Sequence, residues 1–415
     1  MKQNIPVVLA FVVLIFISLN WSDNKSIFKN GIWRTTLQRP DGQTIVFNFE
    51  SKDSAGKKIL YVLNAGEKLL VDNIRMAGDS VFIQMPFFES GFKAVIDEAG
   101  NLSGSYIKRL ADRDQVMPFK AVYNESERFS ANASPLYNVS GKWAVKFTAL
   151  SNKSTTQSVG EFEQVGNRLK GTFLTSSGDY RYLEGIVSGD SLMLSGFDGG
   201  HAFLFTAKIN NNNLISSGRF YSGYAGVENW VAIKDSSAAL PDGYEETKLR
   251  PGETSLNFRF KSIEGNDISI KDDAFKGKVV VVQIMGSWCP NCMDETRFLS
   301  DYYKKNKKRG FEIIALAYER STDFERSVKS LRTFQKRFNV KYPILVTGAT
   351  ITDSLRTEKT LPQLEKIKAF PTSIFIDKKG NVSKIYTGFN GPGTGNHYDE
   401  FVKEFDETIT GLLNQ

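Results

Sequence analysis

Two cysteines, Cys289 and Cys292, are the only ones in the 415 residues of this chain, and they stand two residues apart in Gly286-Ser-Trp-Cys-Pro-Asn-Cys-Met-Asp-Glu295. The run before them, Val279 to Gln283, is apolar and β-branched and predicts a buried strand. After them Met293, Phe298, Leu299, Tyr302 and Tyr303 recur at helical spacing until Gly310. A Cys-x-x-Cys at a strand-to-helix junction reads as a redox dithiol. Two sulfurs cannot build a disulfide framework. Without a nearby histidine they cannot complete a four-ligand zinc site either, and His201 and His397 lie far off. No metal and no cofactor is expected, because the cysteines themselves carry the electrons.

The length predicts two or three domains. The formal charge of +7 is spread thinly along the chain, so nucleic acid is not an expected partner. The densest basic run, Lys304 to Arg309, falls at the end of the predicted helix and opposes its dipole. At the N-terminus, Met-Lys-Gln is followed by an uncharged apolar stretch from Ile5 to Leu19. This predicts a signal peptide or membrane anchor within residues 1–24, hence export to the cell envelope or periplasm, either secreted or anchored through residues 5–19. An exported chain with one dithiol strengthens the redox reading.

From Gly31 to about Asp235 short apolar or alternating runs are broken by Gly-containing turns every eight to twelve residues, an all-β pattern. The region repeats. Gly31-Ile-Trp33 recurs as Gly141-Lys-Trp143, Gly78-Asp-Ser80 as Gly189-Asp-Ser191, and Leu102 to Tyr106 is echoed by Leu214 to Phe220. We read two barrel-like meanders of about eight strands each, over residues 30–124 and 138–235, joined by the polar segment Asn124 to Tyr137. The Gly-x-Trp start resembles the first strand of lipocalin-like barrels. A filled scaffold or docking surface is preferred to a ligand barrel.

Residues 236–252 read as a linker. From residue 253 strands and helices alternate: a hairpin, the buried strand, the dithiol helix, the strand Phe311 to Ala317, and an amphipathic helix from Phe324 to Phe338. A short strand, a helical pattern between Thr347 and Lys368, a hairpin from Thr372 to Thr387 and a closing helix complete the domain. The Gly-rich stretch Gly388 to Gly395 is read as a connecting loop.

Trp288-Cys-Pro-Asn-Cys292 with Phe370-Pro371-Thr372 some eighty residues later resembles the thioredoxin fold. The last 160 or so residues are similar to the TlpA/ResA-like thiol-disulfide oxidoreductases of bacterial envelopes. The whole is therefore expected to be multidomain, an all-β N-terminal half followed by an α/β thioredoxin fold. The resemblance implies that Cys289 is the exposed nucleophile and Cys292 the resolving thiol. It also implies a cis peptide before Pro371, client contacts at Trp288, Pro290, Phe370, Pro371 and Thr372, disulfide-containing protein clients, and a membrane thiol electron donor. The helix N-terminus favours thiolate at the first cysteine, and Pro290 suits the first turn. Many thioredoxins carry a buried Asp six residues before the first cysteine; Gln283 stands there instead. Glu295, one turn after Cys292, is the expected proton carrier. Asp294 is read as the more exposed neighbour, without a role.

The expected function is an exported protein-disulfide reductase. The alternatives are a thiol oxidant and an envelope binding module with a regulatory redox domain. A peroxiredoxin-like peroxidase, which needs Thr three residues before its cysteine, is disfavoured by Gly286.

Overall fold

The computed structural model describes residues 27–86, 88–240, 243 and 246–415. The apolar stretch at residues 5–19 lies outside them. Among the described residues no helix is long and apolar enough to cross a membrane.

The N-terminal half is two barrel-like antiparallel sheets of nine strands each. The first comprises β1 (Gly31–Gln38), β2 (Thr44–Ser54), β3 (Lys57–Asn64), β4 (Glu67–Val71), β5 (Asn73–Ala77), β6 (Ser80–Gln84), β7 (Ser90–Ile96), β8 (Leu102–Arg109) and β9 (Asp114–Tyr123). Neighbours in sequence pair throughout except β4 and β5, and β1 pairs with β9, so the sheet curls round with one open seam. The second comprises β10 (Gly141–Ala149), β11 (Thr155–Val165), β12 (Arg168–Thr175), β13 (Gly178–Asp179), β14 (Leu183–Ser188), β15 (Ser191–Phe197), β16 (Ala202–Asn211), β17 (Leu214–Ser222) and β18 (Gly226–Lys234). Here the strand equivalent to β4 shrinks to the two residues of β13, and β12 pairs directly with both β11 and β14. With β10 on β18, eight strands close a ring. Closure removes the exposed edges that an open sheet would leave.

The alternation of buried and exposed residues explains why these segments are strands: in β10 Trp143, Val145 and Phe147 point inward while their neighbours are more exposed. Both Gly-x-Trp tryptophans are fully buried, and each indole N–H has a partner: Trp33 donates to Ser51 Oγ (2.9 Å), Trp143 to the Val139 carbonyl (2.8 Å). The second ring is filled by Phe147, Phe173, Tyr180, Phe205, Phe220 and Trp230, with Phe205 stacked on Phe220 at 4.2 Å. The first is plugged from outside, because Phe197 at the end of β15 stacks on Phe47 at 4.1 Å and meets Phe92 and Tyr106. The segment between the sheets is pinned rather than loose. Arg128 is buried and donates to Asn48 Oδ1, the Leu63 carbonyl and the Ser195 carbonyl, bracing both sheets.

The C-terminal domain has β19 (Arg259–Ser262), β20 (Asp267–Ser269), β21 (Val279–Met285), α1 (Pro290–Asn306), β22 (Phe311–Ala317), α2 (Phe324–Phe338), β23 (Ile344–Val346), α3 (Arg356–Thr360), β24 (Thr372–Ile376), β25 (Val382–Thr387) and α4 (Asn396–Leu413). Its mixed sheet runs β20-β19-β23-β22-β21-β24-β25. All seven residues of β21 are buried, and a fully buried Val, Ile or Met contributes ~1.5–3 kcal/mol, which makes this strand the anchor of the domain. The helical pattern read between Thr347 and Lys368 yields only the five-residue α3. Leu364 is drawn into a bridge with Leu249, and Leu361 and Ile367 are buried from irregular backbone.

Candidate active site at the N-terminus of α1

β21 ends and α1 begins within five residues, so the turn between them is aimed at the carboxyl end of the central strand, where α/β sheets hold their sites. Cys289 and Cys292 are joined as a disulfide, with Cα atoms 5.2 Å apart. Cys289 is the N-cap of α1, and its sulfur accepts from the Cys292 backbone N–H at 3.2 Å. A thiolate there gains more from that N–H and from the helix dipole than a thiol does. Pro290 fills the first helical position. Cys289 departs from its expected exposure: capped by the helix and facing the Phe370 carbonyl, it is 4% exposed, and Cys292 is wholly buried.

The Phe370–Pro371 peptide is cis, and the Phe370 carbonyl lies 3.6 Å from Cys289 Sγ. Trp288 packs edge-on against the Phe370 ring at 5.4 Å and donates its indole N–H to the Tyr318 carbonyl (2.8 Å). Thr372 is buried at the start of β24, its hydroxyl donating to the Ala369 carbonyl (2.9 Å). The structure thus gathers Trp288, Cys289, Pro290, Cys292, Phe370, Pro371 and Thr372 around one turn.

Glu295 lies beneath it, fully buried. Gln283 Nε2 donates to one carboxylate oxygen (2.7 Å) and Ser373 Oγ to the other (2.9 Å). Burial pushes the carboxyl up to about 7, although both donors favour the ion and pull it down. A second buried carboxylate, Glu319, was not anticipated. It accepts from the Ser287 N–H (2.8 Å) and Oγ (2.6 Å), fixing the residue before Trp288, and burial raises its carboxyl too. Its only sequence signal is an acid placed soon after the apolar β22.

Asp294 departs from its expected exposure: it is 5% exposed. It forms an ion pair with Arg181 of the second β-unit, which also pairs with Glu67 of the first and donates to the Pro290 carbonyl (3.3 Å). One guanidinium therefore joins all three parts of the molecule. Helical periodicity could not reveal this, because the partners lie 113 and 114 residues from Arg181.

Around this clasp the segment 176–181 lies against the dithiol helix. Turned so that both ends are satisfied, the Asn291 amide donates to the Asp179 carbonyl (3.2 Å) and accepts from its N–H (3.1 Å). Asp179 Oδ2 accepts from the Gly391 N–H at 2.8 Å, so the Gly-rich loop is part of the interface; burial raises the Asp179 carboxyl to about 6. Contact is close enough to require glycine at Gly178. Its φ is +132°, and a Cβ there would fall 2.1 Å from the Asn291 amide. Among the described residues no group of three His, Cys, Asp or Glu side chains could hold a metal ion.

The Redoxin family matches residues 250–401. The thiol-disulfide oxidoreductase ResA of Bacillus thuringiensis subsp. konkukian is 32% identical over 168 residues, which span 40% of this chain and 85% of the relative. ResA of Halalkalibacterium halodurans is 28% identical over 166 residues, 40% of this chain and 80% of the relative. Among solved structures, a thioredoxin-family thiol:disulfide interchange protein from Chlorobium tepidum is 22% identical and covers 40% of this chain and 99% of its own, with a TM-score of 0.29. These matches fall on the C-terminal part, and through that domain the chain belongs to the ResA family of thiol-disulfide oxidoreductases.

Proposed function

We propose that this oxidoreductase works in the cell envelope as a reductase of protein disulfides, and that residues 253–415 carry the chemistry while residues 30–124 and 138–235 hold and present it. The observation that carries the reading is the Cys289–Cys292 pair capping α1 beside a cis-proline turn and above the buried Glu295.

In the reduced enzyme, the Cys289 thiolate attacks one sulfur of the client disulfide. A mixed disulfide forms, and the other client sulfur leaves as thiolate and takes a proton from water. Glu295 accepts the proton of the Cys292 thiol. The Cys292 thiolate then attacks Cys289, forming the disulfide and releasing the second client thiolate. The client gains two electrons and the dithiol loses them; a thiol donor, expected to be membrane-bound, restores them. A carboxyl near 7 suits this proton transfer at neutral pH. Trp288, Pro290, Phe370, Pro371 and Thr372 form the client-facing rim. Export, by secretion or by anchoring, rests on the apolar stretch at residues 5–19.

The test is trapping. A Cys292→Ser variant of the full chain should retain envelope proteins on Cys289 as mixed disulfides identifiable by mass spectrometry, and the wild type should reduce insulin. An empty trap together with inert wild type sinks the reading.

A further inference from the structure

The two sides of the reactive turn differ. On one, Asn291, Asp294 and the Gly-rich loop are sealed by the segment 176–181. On the other, Ser287 and Trp288 line an open cleft of about 820 Å³ between the first β-unit and α2. Six cations line it: Arg109, Arg320, Arg326, Lys329, Lys336 and Arg337. Its carboxylates are three, half the number of cations: Glu89 pairs with Arg326 (3.0 Å), Asp72 lies in the field of Arg337, and Glu319, whose oxygens accept from Ser287, lies in the field of Arg320. Of the cations, Arg109 pairs with Asp114 and Arg337 donates to the Leu70 carbonyl. Arg320, Lys329 and Lys336 have no ion pair among the described residues. Arg320 is half-buried, its guanidinium 5.8 Å over the Trp288 ring, one residue from the dithiol.

We propose that this cleft is the client-docking site, and that it takes an extended acidic segment next to the client disulfide, with Arg320 as the inner anchor and Lys329 and Lys336 as the outer ones. The surplus of unpaired cations calls for an anionic occupant. Half-burial of Arg320 strengthens its attraction for a carboxylate relative to an exposed lysine. The volume exceeds that of a lone inorganic anion and suits several residues of polypeptide. The position decides which polypeptide: a segment held against Trp288 has its neighbouring sulfur delivered to Cys289 from the unsealed side. One wall belongs to the first β-unit, so the proposal gives that unit a part in choosing clients. It rests on the reductase reading for the identity of the occupant.

Binding can be read without turnover. Two fluorescent peptides of equal length, their cysteines replaced by serine and flanked by Asp/Glu in one and Lys/Arg in the other, are titrated with the oxidised full chain and followed by anisotropy. The acidic peptide should bind at least about tenfold tighter, with affinity falling as salt rises. Lys329→Glu/Lys336→Glu, on exposed positions that leave the fold intact, should abolish that preference, and Arg320→Glu should do the same. Equal binding of the two peptides, an unchanged preference in the lysine double variant, or vesicles of anionic phospholipid binding the cleft in place of the peptide would overturn the proposal. Because none of these readings uses the dithiol, an absence of insulin reduction would bear on the reductase reading alone.

Discussion

Gln283 and Ser373 face each other across the antiparallel pairing of β21 and β24 and converge on one carboxylate, each donating to a different oxygen of Glu295. The acid comes from the helix and its donors from the two strands beneath. Its protonation is therefore set jointly by burial, which resists the ion, and by two fixed hydrogen bonds, which favour it. Gln283 stands where many relatives of the fold place a titrating Asp; here it has become the partner of an acid twelve residues on.

Replacing Glu295 by Gln should slow resolution of the mixed disulfide roughly 10²-fold, the lower end for loss of a general base, and remove the step near pH 7 from the pH–rate profile. Stability should move the other way. A carboxyl whose pKa rises from 4.5 unfolded to about 7 folded keeps its proton longer in the folded state, so the wild type loses stability as pH climbs through that window. The loss is on the order of 3 kcal/mol. Urea unfolding of the oxidised forms should show the variant matching wild type near pH 4 and exceeding it at pH 8. Parallel curves at all pH values would mean Glu295 does not titrate.

Ser373→Ala takes away one donor to the ion. The Glu295 carboxyl should rise further, and the midpoint of the pH–rate profile should move up by about one unit, since a hydrogen bond to a charged group is worth ~1.5–3 kcal/mol. Stopped-flow exchange with a small disulfide between pH 5 and 9 measures it. A midpoint moving down would contradict the donor role.

Arg181→Met leaves the buried Asp294 and the partly exposed Glu67 without their cation and should cost roughly 3–5 kcal/mol. Adding Glu67→Met and Asp294→Leu should recover most of it, because the penalty lies in the stranded charges. Denaturant titration reports both. A loss below about 1 kcal/mol in the single variant would remove the clasp from the interdomain contact.

His397 on α4 reaches the second β-unit through Glu161, at 2.8 Å. Glu161 holds the imidazole above its usual range, and His397 holds the Glu161 carboxyl below its own. The histidine's share of stability is full below its unfolded value of 6.5 and is lost as pH rises through its higher folded value. The glutamate's share is present above 4.5 and lost as pH falls through its lower one. The contact should therefore be strongest in mildly acidic solution and fade toward alkaline pH. The partners are partly exposed, so the effect is at most about 1 kcal/mol. His397→Gln should flatten this component of the pH–stability curve measured by thermal melts.

Much of the fold is legible in local pattern. Thr372–Ile376 and Phe311–Ala317 are strands where the apolar runs place them, and α2 spans Phe324–Phe338 because its apolar residues share one face. The recurrence of Gly-x-Trp marks the first strand of each β-unit, β1 and β10. The ninth strand of the second unit was not legible, because β13 is only two residues long. Within the site, the strand-to-helix junction that places Cys289, Cys292 and Glu295 close together is legible in local pattern, while the roles expected of them come from the family resemblance. Arg181, Asp179 and Glu67 are not legible, since their meaning comes from a docking more than a hundred residues away in sequence.

The open seam of the first β-unit, beside β4, and the short β13, its equivalent on the closed second unit, are both turned toward the redox domain. Arg337 of α2 donates to the Leu70 carbonyl of β4, and Asn291 and Gly391 bond to Asp179 of β13. The duplicated module thus grips its cargo twice with the same knuckle, bent differently in each hand. An extra residue in β13 would press on the dithiol helix through Asn291, whereas at the hairpin turns of Gly56 and Gly166 an added side chain meets nothing within 4 Å, so these can lengthen without the catalytic domain noticing.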